Sequence, residues 1–452
     1  MNLTTKIVGS IVVAGGIATI ATPMIYQKQI DNAIQTQVQL LSKKNIIIDE
    51  KNINDSFFNV KREYILTITN IAPFIKDIYP NIDFYTLQQL KETFDNTKFL
   101  VSIDMSKYPI NHKEAIKISL YKLNNTLTKD LEKDFTGKEI IKFIQNKGLE
   151  LILDTDSTKI TKIKLKDIDL KLQSPNLKEK LEFKIQNAYS KLADKISINV
   201  DKISFDLSTK SDLISLKFNK IHHVLKKQNE FNYQTNSHIQ NITYSLKKPY
   251  SNIIANIDDI SLSSNVHSIV NNLNLKNSLN VKNLKISSNN DYIQLKNFTF
   301  NNKLEKLDLV SIKTIANIVK NSQKLNNTQI LKPLQTLINK GFNFKIEPLS
   351  FDSAKINILN NSYNISKFNL QFNTKLNTNN YNFNSQNINV LLNYITANLH
   401  ITTTKENIDL LTKLNPMSTL YLGMVSTQNK NIVEIDISYK NGEFLSNGKR
   451  IK

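Results

Sequence analysis

Leu295-Lys296-Asn297-Phe298-Thr299-Phe300 carries the pattern on which the fold turns: an apolar residue, two polar ones, then an apolar-x-apolar step. The same grammar recurs as Leu165-Lys166-Asp167-Ile168-Asp169-Leu170, Val200-Asp201-Lys202-Ile203-Ser204-Phe205 and Ile257-Asp258-Asp259-Ile260-Ser261-Leu262. It returns as Val281-Lys282-Asn283-Leu284-Lys285-Ile286 and Ile365-Ser366-Lys367-Phe368-Asn369-Leu370. Around each copy the chain alternates with period two, the mark of a half-buried strand. In a flat strand, residues three apart point to opposite faces. Holding both flanking hydrophobes on one face requires a one-residue bulge or bend at the polar pair, which also sharpens the twist. The copies are unevenly spaced, which argues against a regular solenoid.

The expectation is a curved antiparallel sheet with one apolar face formed by Ile168, Leu170, Ile203, Phe205, Ile260, Leu262, Leu284, Ile286, Phe298, Phe300, Phe368 and Leu370. Two readings of that face stand side by side. Helices packed on it make an ordinary core, whereas a partly open trough holds acyl chains and makes these twelve residues its lipid contacts.

Helical periodicity is expected near 83–96, 111–126, 137–147, 175–194, 305–320 and 328–340. Two junctions read Asn-Lys-Gly and then a strand, at Asn146-Lys147-Gly148 and Asn339-Lys340-Gly341, with Gly148 suited to a left-handed helix C-cap. The early stretch 45–70 reads as extended, Tyr64, Leu66 and Ile68 alternating. Proline is sparse and no Gly/Ser-rich linker occurs, so the sequence marks no clean domain boundary.

The run Ile7 to Gln27 is uncharged between Lys6 and Lys28. As a helix it reaches roughly 31 Å, close to the hydrocarbon thickness of a bilayer. A cleaved secretory signal is the rival reading, with Thr19-Ile20-Ala21 as a poor cleavage site. An apolar stripe at Ile30, Ala33, Ile34, Val38 and Leu41 continues the helix past Lys28 and favours a retained anchor. Lys6 before the run and Asp31 after it place the N-terminus in the cytoplasm and the body in the periplasm of an inner membrane. The fold class expected is α+β: an N-terminal transmembrane helix (1–27), a mixed membrane-proximal region (28–150) and a β-rich curved-sheet region (151–452).

The net charge is +20, from 59 basic and 39 acidic residues. Lysine is spread evenly and arginine is confined to Arg62 and Arg450, so a nucleic-acid surface is not expected. Attraction to anionic headgroups or polyanionic envelope polymers is the more sensible consequence. The absence of cysteine excludes disulfides, thiolate nucleophiles and Cys-ligated metals.

The six histidines (112, 222, 223, 238, 267, 400) form no HExxH or other ligand spacing, and His222-His223 reads as a surface pair at a strand end. Asp154-Thr155-Asp156 and Asp258-Asp259 read as solvated turn carboxylates rather than paired acids. No GxSxG elbow, P-loop or GxGxxG fingerprint occurs. Catalytic, metal and cofactor-binding residues are therefore expected to be none.

Four segments resemble the YdgA-type proteins of Gram-negative envelopes, which are more distantly similar to AsmA-type proteins. They are the anchor running into a polar helix, DSFFNVKREYILTIT (55–69), GFNFKIEPLSFDSAKINI (341–358) and YKNGEFLSNGKRI (439–451). The resemblance includes the Leu349-Ser350 step and the closing turns Asn441-Gly442 and Asn447-Gly448-Lys449. It implies an envelope protein and brings no established activity or catalytic residue with it. The reading is a membrane-anchored envelope protein of structural or lipid-handling role and not an enzyme, against an envelope-directed hydrolase or a scaffold or adhesin-like interaction module.

Overall fold

A computed structural model describes residues 45–55, 59–79, 82–106, 114–133, 135–156, 159–174, 179–321, 327–377, 392–440 and 442–451. The expected anchor Ile7–Gln27 lies outside them. No helix among the described residues is long and apolar enough to cross a membrane. The chain divides into two compact units, Met1–Ser215 and Leu216–Lys452. The boundary falls where no linker composition marks it, inside a strand.

The first unit comprises β1 (Ile46–Asp55), β2 (Asn59–Ile68), α1 (Ala72–Ile78), α2 (Phe84–Phe94), β3 (Lys98–Ser106), β4 (Glu114–Lys122), α3 (Asn125–Glu132), α4 (Phe135–Gln145) and β5 (Glu150–Asp156). It continues through β6 (Lys159–Leu165), β7 (Ile168–Gln173), β8 (Lys180–Gln186), β9 (Tyr189–Leu192) and β10 (Ile196–Ser208). β1 to β6 pair in chain order as an antiparallel meander. β9 then pairs with β6, β8 with β7, and β10 with both β8 and β9.

One apolar cluster joins strand residues Leu66, Phe99, Ile116, Ile118, Leu153 and Ile168 to helix residues Phe74, Phe94, Leu131, Ile140 and Ile144. Two helices start on side-chain caps: Asp83 accepts from the Thr86 amide at 2.8 Å, and Asn124 from the Leu127 amide at 2.7 Å.

Two expected helices are strands instead. Residues 114–122 form β4, and 180–192 form β8 and β9. Ile116, Ile118 and Leu120 alternate, as do Leu181, Phe183 and Ile185. That period of two places one face of each strand against the core, and this burial outweighs the helix propensity of the intervening Lys and Glu.

The second unit begins with five strands of 17–19 residues: β11 (Leu213–Asn229), β12 (Asn232–Lys248), β13 (Ser251–Ile269), β14 (Asn272–Ser288) and β15 (Asp291–Asp308). Next come α5 (Leu309–Asn321), α6 (Asn327–Lys340), β16 (Phe342–Phe351), β17 (Ser353–Ile358), β18 (Asn361–Ile365), β19 (Phe368–Leu376) and β20 (Ile395–Thr404). The unit ends with α7 (Lys405–Leu414), α8 (Ser418–Val425), β21 (Ser426–Asn429), β22 (Ile432–Lys440), β23 (Glu443–Ser446) and β24 (Lys449–Arg450). From β12 onward it is also an antiparallel meander, in which β16 and β17 act as one interrupted strand beside β15, and β18 and β19 as the next. β20 follows β19, and β22 follows β20.

The polar pairs of the sequence lie at one level across these strands. Pairing of β13 with β14 keeps a single register from Ile253↔Ser288 to Ile269↔Asn272, yet skips Asp259 and Lys282. β12 skips Gln240 at the same level, and β15 skips Asn297. Asp352 separates β16 from β17, and Ser366-Lys367 separates β18 from β19, again without changing register. Lys220, Asp259 and Asn297 adopt left-handed backbone, with φ of 51°, 52° and 52°.

The expected isolated bulge is therefore replaced at these sites by a shared crease. Each strand carries the same polar interruption as its neighbour, so no residue is gained and the register survives. Side chains restore hydrogen bonds along it: Asn241 Nδ2 donates to Asp258 at 2.7 Å, Asn283 Nδ2 to Asp258 at 2.9 Å and Gln294 Nε2 to Asn283 at 2.9 Å. Asp258 and Asp259 thus sit in mid-strand, not in a turn. A shorter crease occurs in the first unit, where the Asn187 amide donates to Asp167 and its side chain to Asp201.

True one-residue shifts occur at two further copies of the pattern. Leu304 and Leu307, flanking Glu305-Lys306, face Leu275 and Leu273. Ile346 and Leu349, flanking Glu347-Pro348, face Phe372 and Leu370. Residues two apart on a partner strand share a face, so these shifts do bring hydrophobes three apart onto one side. Pro348, which has no N–H to give a ladder, sits at the interruption.

The two Asn-Lys-Gly junctions differ by one residue. At the first, the left-handed residue is Lys147 (φ 54°) and not Gly148, whose amide donates to the Phe143 carbonyl at 2.9 Å in a Schellman closure. At the second, Gly341 itself is left-handed (φ 71°), and a Cβ there would collide with the Leu376 carbonyl. Gly341→Ala is expected to cost at least about 2 kcal/mol, from left-handed strain plus displacement of β19. Urea unfolding checks it, and a midpoint unchanged from wild type contradicts it.

Candidate functional site

Strand register collects eleven of the twelve expected face residues into transverse rows. In the first unit, Ile168 and Ile203 both oppose Ile185, while Leu170 and Phe205 both oppose Phe183. In the second unit, one row runs Ile239, Ile260, Val281, Phe298 and the next runs Leu262, Leu279, Phe300, Leu349, Leu370, Ile401, Ile435. Across the crease lie Ile242, Ile257, Leu284, Leu295, Ala354, Ile365, then Ala255, Ile286, Ile293, Ile356. Phe368 stacks on Phe351 with ring centroids 5.4 Å apart.

Burial separates the two units. Ile168 and Leu170 belong to the closed core of the first, roofed by α1 to α4. In the second unit only Ile260 of the expected residues is buried. Ile203 and Phe205 of the first unit, with Leu284, Phe298, Phe300, Phe368 and Leu370 of the second, are half-buried. Leu262 and Ile286 keep 45% and 43% of their surface exposed. The buried cluster of the second unit is confined to one end, where Leu309 and Leu337 of α5 and α6 meet Val266, Leu273 and Leu307. Away from that end, Val281, Ala354 and Ile435 of these rows are also buried, while their other residues are half-buried or exposed.

That end is fixed by Asp308. Its Oδ2 accepts from the amide and hydroxyl of Ser311 at 2.8 and 2.7 Å, capping α5. Its Oδ1 accepts from Lys340 Nζ at 2.6 Å, tying in the end of α6. Burial pushes the carboxyl up, but the donors Lys340 and Ser311 outweigh it and hold the group below the usual carboxylate range.

A polar constellation invisible in the sequence appears on β20 and β22. His400 lies directly across from Asp436, with Nδ1 2.7 Å from Oδ1, and its Nε2 is 3.0 Å from the Thr402 hydroxyl. It borders a cavity of about 340 Å³ that Glu347, Gln371, Asn398 and Ser438 also line. All three side chains sit on neighbouring positions of two strands, which is the geometry of a cross-strand polar ladder. Thirty-six residues separate His400 from Asp436, so no local motif signals the contact.

His222-His223, expected at a strand end, lies within β11, with His223 Nδ1 2.7 Å from the Ser237 hydroxyl. Among the described residues, no group of three or more His, Asp or Glu is placed to hold a metal ion.

No family profile, no curated protein and no solved structure matches this chain.

Proposed function

We propose that the chain is a membrane-anchored envelope protein that handles lipid, its second unit holding acyl chains along the rows that flank the crease. The observation that carries this reading is the contrast between a closed core in the first unit and the half-open rows of Ile, Leu and Phe in the second. Aliphatic rows of this kind offer acyl chains burial worth about 0.8 kcal/mol per methylene. The reading includes retention of Ile7–Gln27 as the anchor, and it needs no catalytic group.

A phospholipid bearing a diazirine in its acyl chain, photolysed with the full chain, is expected to crosslink to peptides from β12 to β16. Leu262→Asp with Ile286→Asp should abolish those crosslinks and leave the circular dichroism unchanged, because both side chains are already exposed. Crosslinks confined to other peptides, or a double variant that labels like wild type, would remove the basis for the proposal.

A further inference from the structure

We propose that the α7–α8 hairpin is a second membrane contact, laying its exposed apolar side into the headgroup and acyl boundary of an anionic bilayer. This deepens the lipid-handling reading and rests on it. No charged residue occurs between Lys413 and Lys430, and α8 (STLYLGMV) carries no polar face. A helix apolar on all sides belongs either in a core or in lipid. One side of it is open: Met424 is 69% exposed, Met417 at its N-cap is 62% exposed, and nothing lies within 4 Å of the place a Cβ would take on Gly423. α7 has no buried residue, and its Leu411 and Leu414 add to the exposed apolar surface.

Exposed Leu and Met between basic residues are what an interfacial element presents to a bilayer. Lys413 and Lys430 sit at the two ends of the uncharged run, where anionic headgroups meet them. The net charge of +20 adds attraction of the same sign. The hairpin is also held against the proposed groove. Asn407 of α7 grips the interruption between β18 and β19, accepting from the Ser366 amide and donating to its carbonyl, each at 2.9 Å. Both helices pack on β22, whose Ile435 ends the row through Leu370 and Ile401.

The chain has no cysteine, so single probes can be placed without a background. Full-length protein carrying an environment-sensitive fluorophore at Met424→Cys or Met417→Cys is reconstituted in phosphatidylethanolamine/phosphatidylglycerol vesicles. Both sites should shift to the blue and be quenched by brominated acyl chains, more weakly in phosphatidylcholine alone. A probe at Lys226→Cys in β11 should stay aqueous. With the probe moved to Leu414→Cys, the Met417→Glu/Met424→Glu variant should lose the quenching.

Aqueous emission at both Met sites in anionic vesicles would overturn the inference. So would a blue shift that needs no lipid and rises with protein concentration, which would assign that side of the hairpin to a second copy of the chain. The acyl-chain crosslinks in β12 to β16 report on the groove separately. Insertion without crosslinks would defeat the groove alone, and crosslinks without insertion would defeat the hairpin alone.

Discussion

Phe99→Ala is expected to destabilise the first unit by about 3–5 kcal/mol, whereas Phe298→Ala should cost the second no more than about 1–2 kcal/mol. The two substitutions delete the same atoms from strands of the same meander type. Phe99 has none of its surface exposed and is enclosed by residues of β2, β4 and the helices, so truncation leaves a cavity that close-packed neighbours fill only in part. Phe298 is half-buried in the row shared with Ile260 and Val281. Its removal forfeits part of a transfer term and opens no sealed void, because water or lipid enters. Native-state hydrogen exchange, followed separately in β3–β4 and β13–β15, reads each unit without assuming one global transition. Equal costs would mean that the second face is roofed as firmly as the first, and the groove would have to be given up.

The β-rich character was legible because alternation survives noise: Tyr64, Leu66 and Ile68 were read as a strand and are buried in β2. The same alternation at Ile116, Ile118 and Leu120 marks β4, within the stretch 111–126 where a helix is expected. The polar pairs were legible as places where the hydrophobic pattern changes phase. Their alignment into a crease was not, since it depends on register between strands: Asp259 meets Lys282 across a gap of 23 sequence positions in the pairing of β13 with β14. Leu304-Glu305-Lys306-Leu307 carries the identical grammar, and there the shift is real because β14 offers no matching interruption. α8 leaves no mark in the sequence for a different reason. α8 is uniformly apolar and has no stripe for a periodicity argument to find. α7 does carry one, Ile408 and Leu411 behind the Thr404 cap, and buries none of it. The His400–Asp436 contact, like the crease, exists only once two strands are laid side by side.

Asp308→Ala should destabilise the second unit by about 3 kcal/mol, and Asp308→Asn by about half as much. Asp308 is almost fully buried at the junction of β15 and α5, and every oxygen of its carboxylate is used. Alanine leaves the buried Ser311 amide and hydroxyl without their acceptor, which is the larger part of the cost. Lys340 is half-exposed and recovers hydration when released, so the ion pair itself contributes only about 1 kcal/mol. Asparagine keeps an oxygen for Ser311 and loses only the charge. The pH dependence separates the two contributions. Because the folded-state pKa of Asp308 is depressed, the stability it contributes is fully present above the ordinary carboxylate value of about 4 and is lost as pH falls through the folded-state value. The gap between wild type and Asp308→Asn should thus be widest near pH 7 and close below pH ~4, while Asp308→Ala should remain less stable than both in acid. Urea midpoints across that range decide it. A wild-type-to-asparagine gap that does not change with pH would mean that the Lys340 contact carries no linked charge, leaving only the cap to join α5 to the end of the sheet.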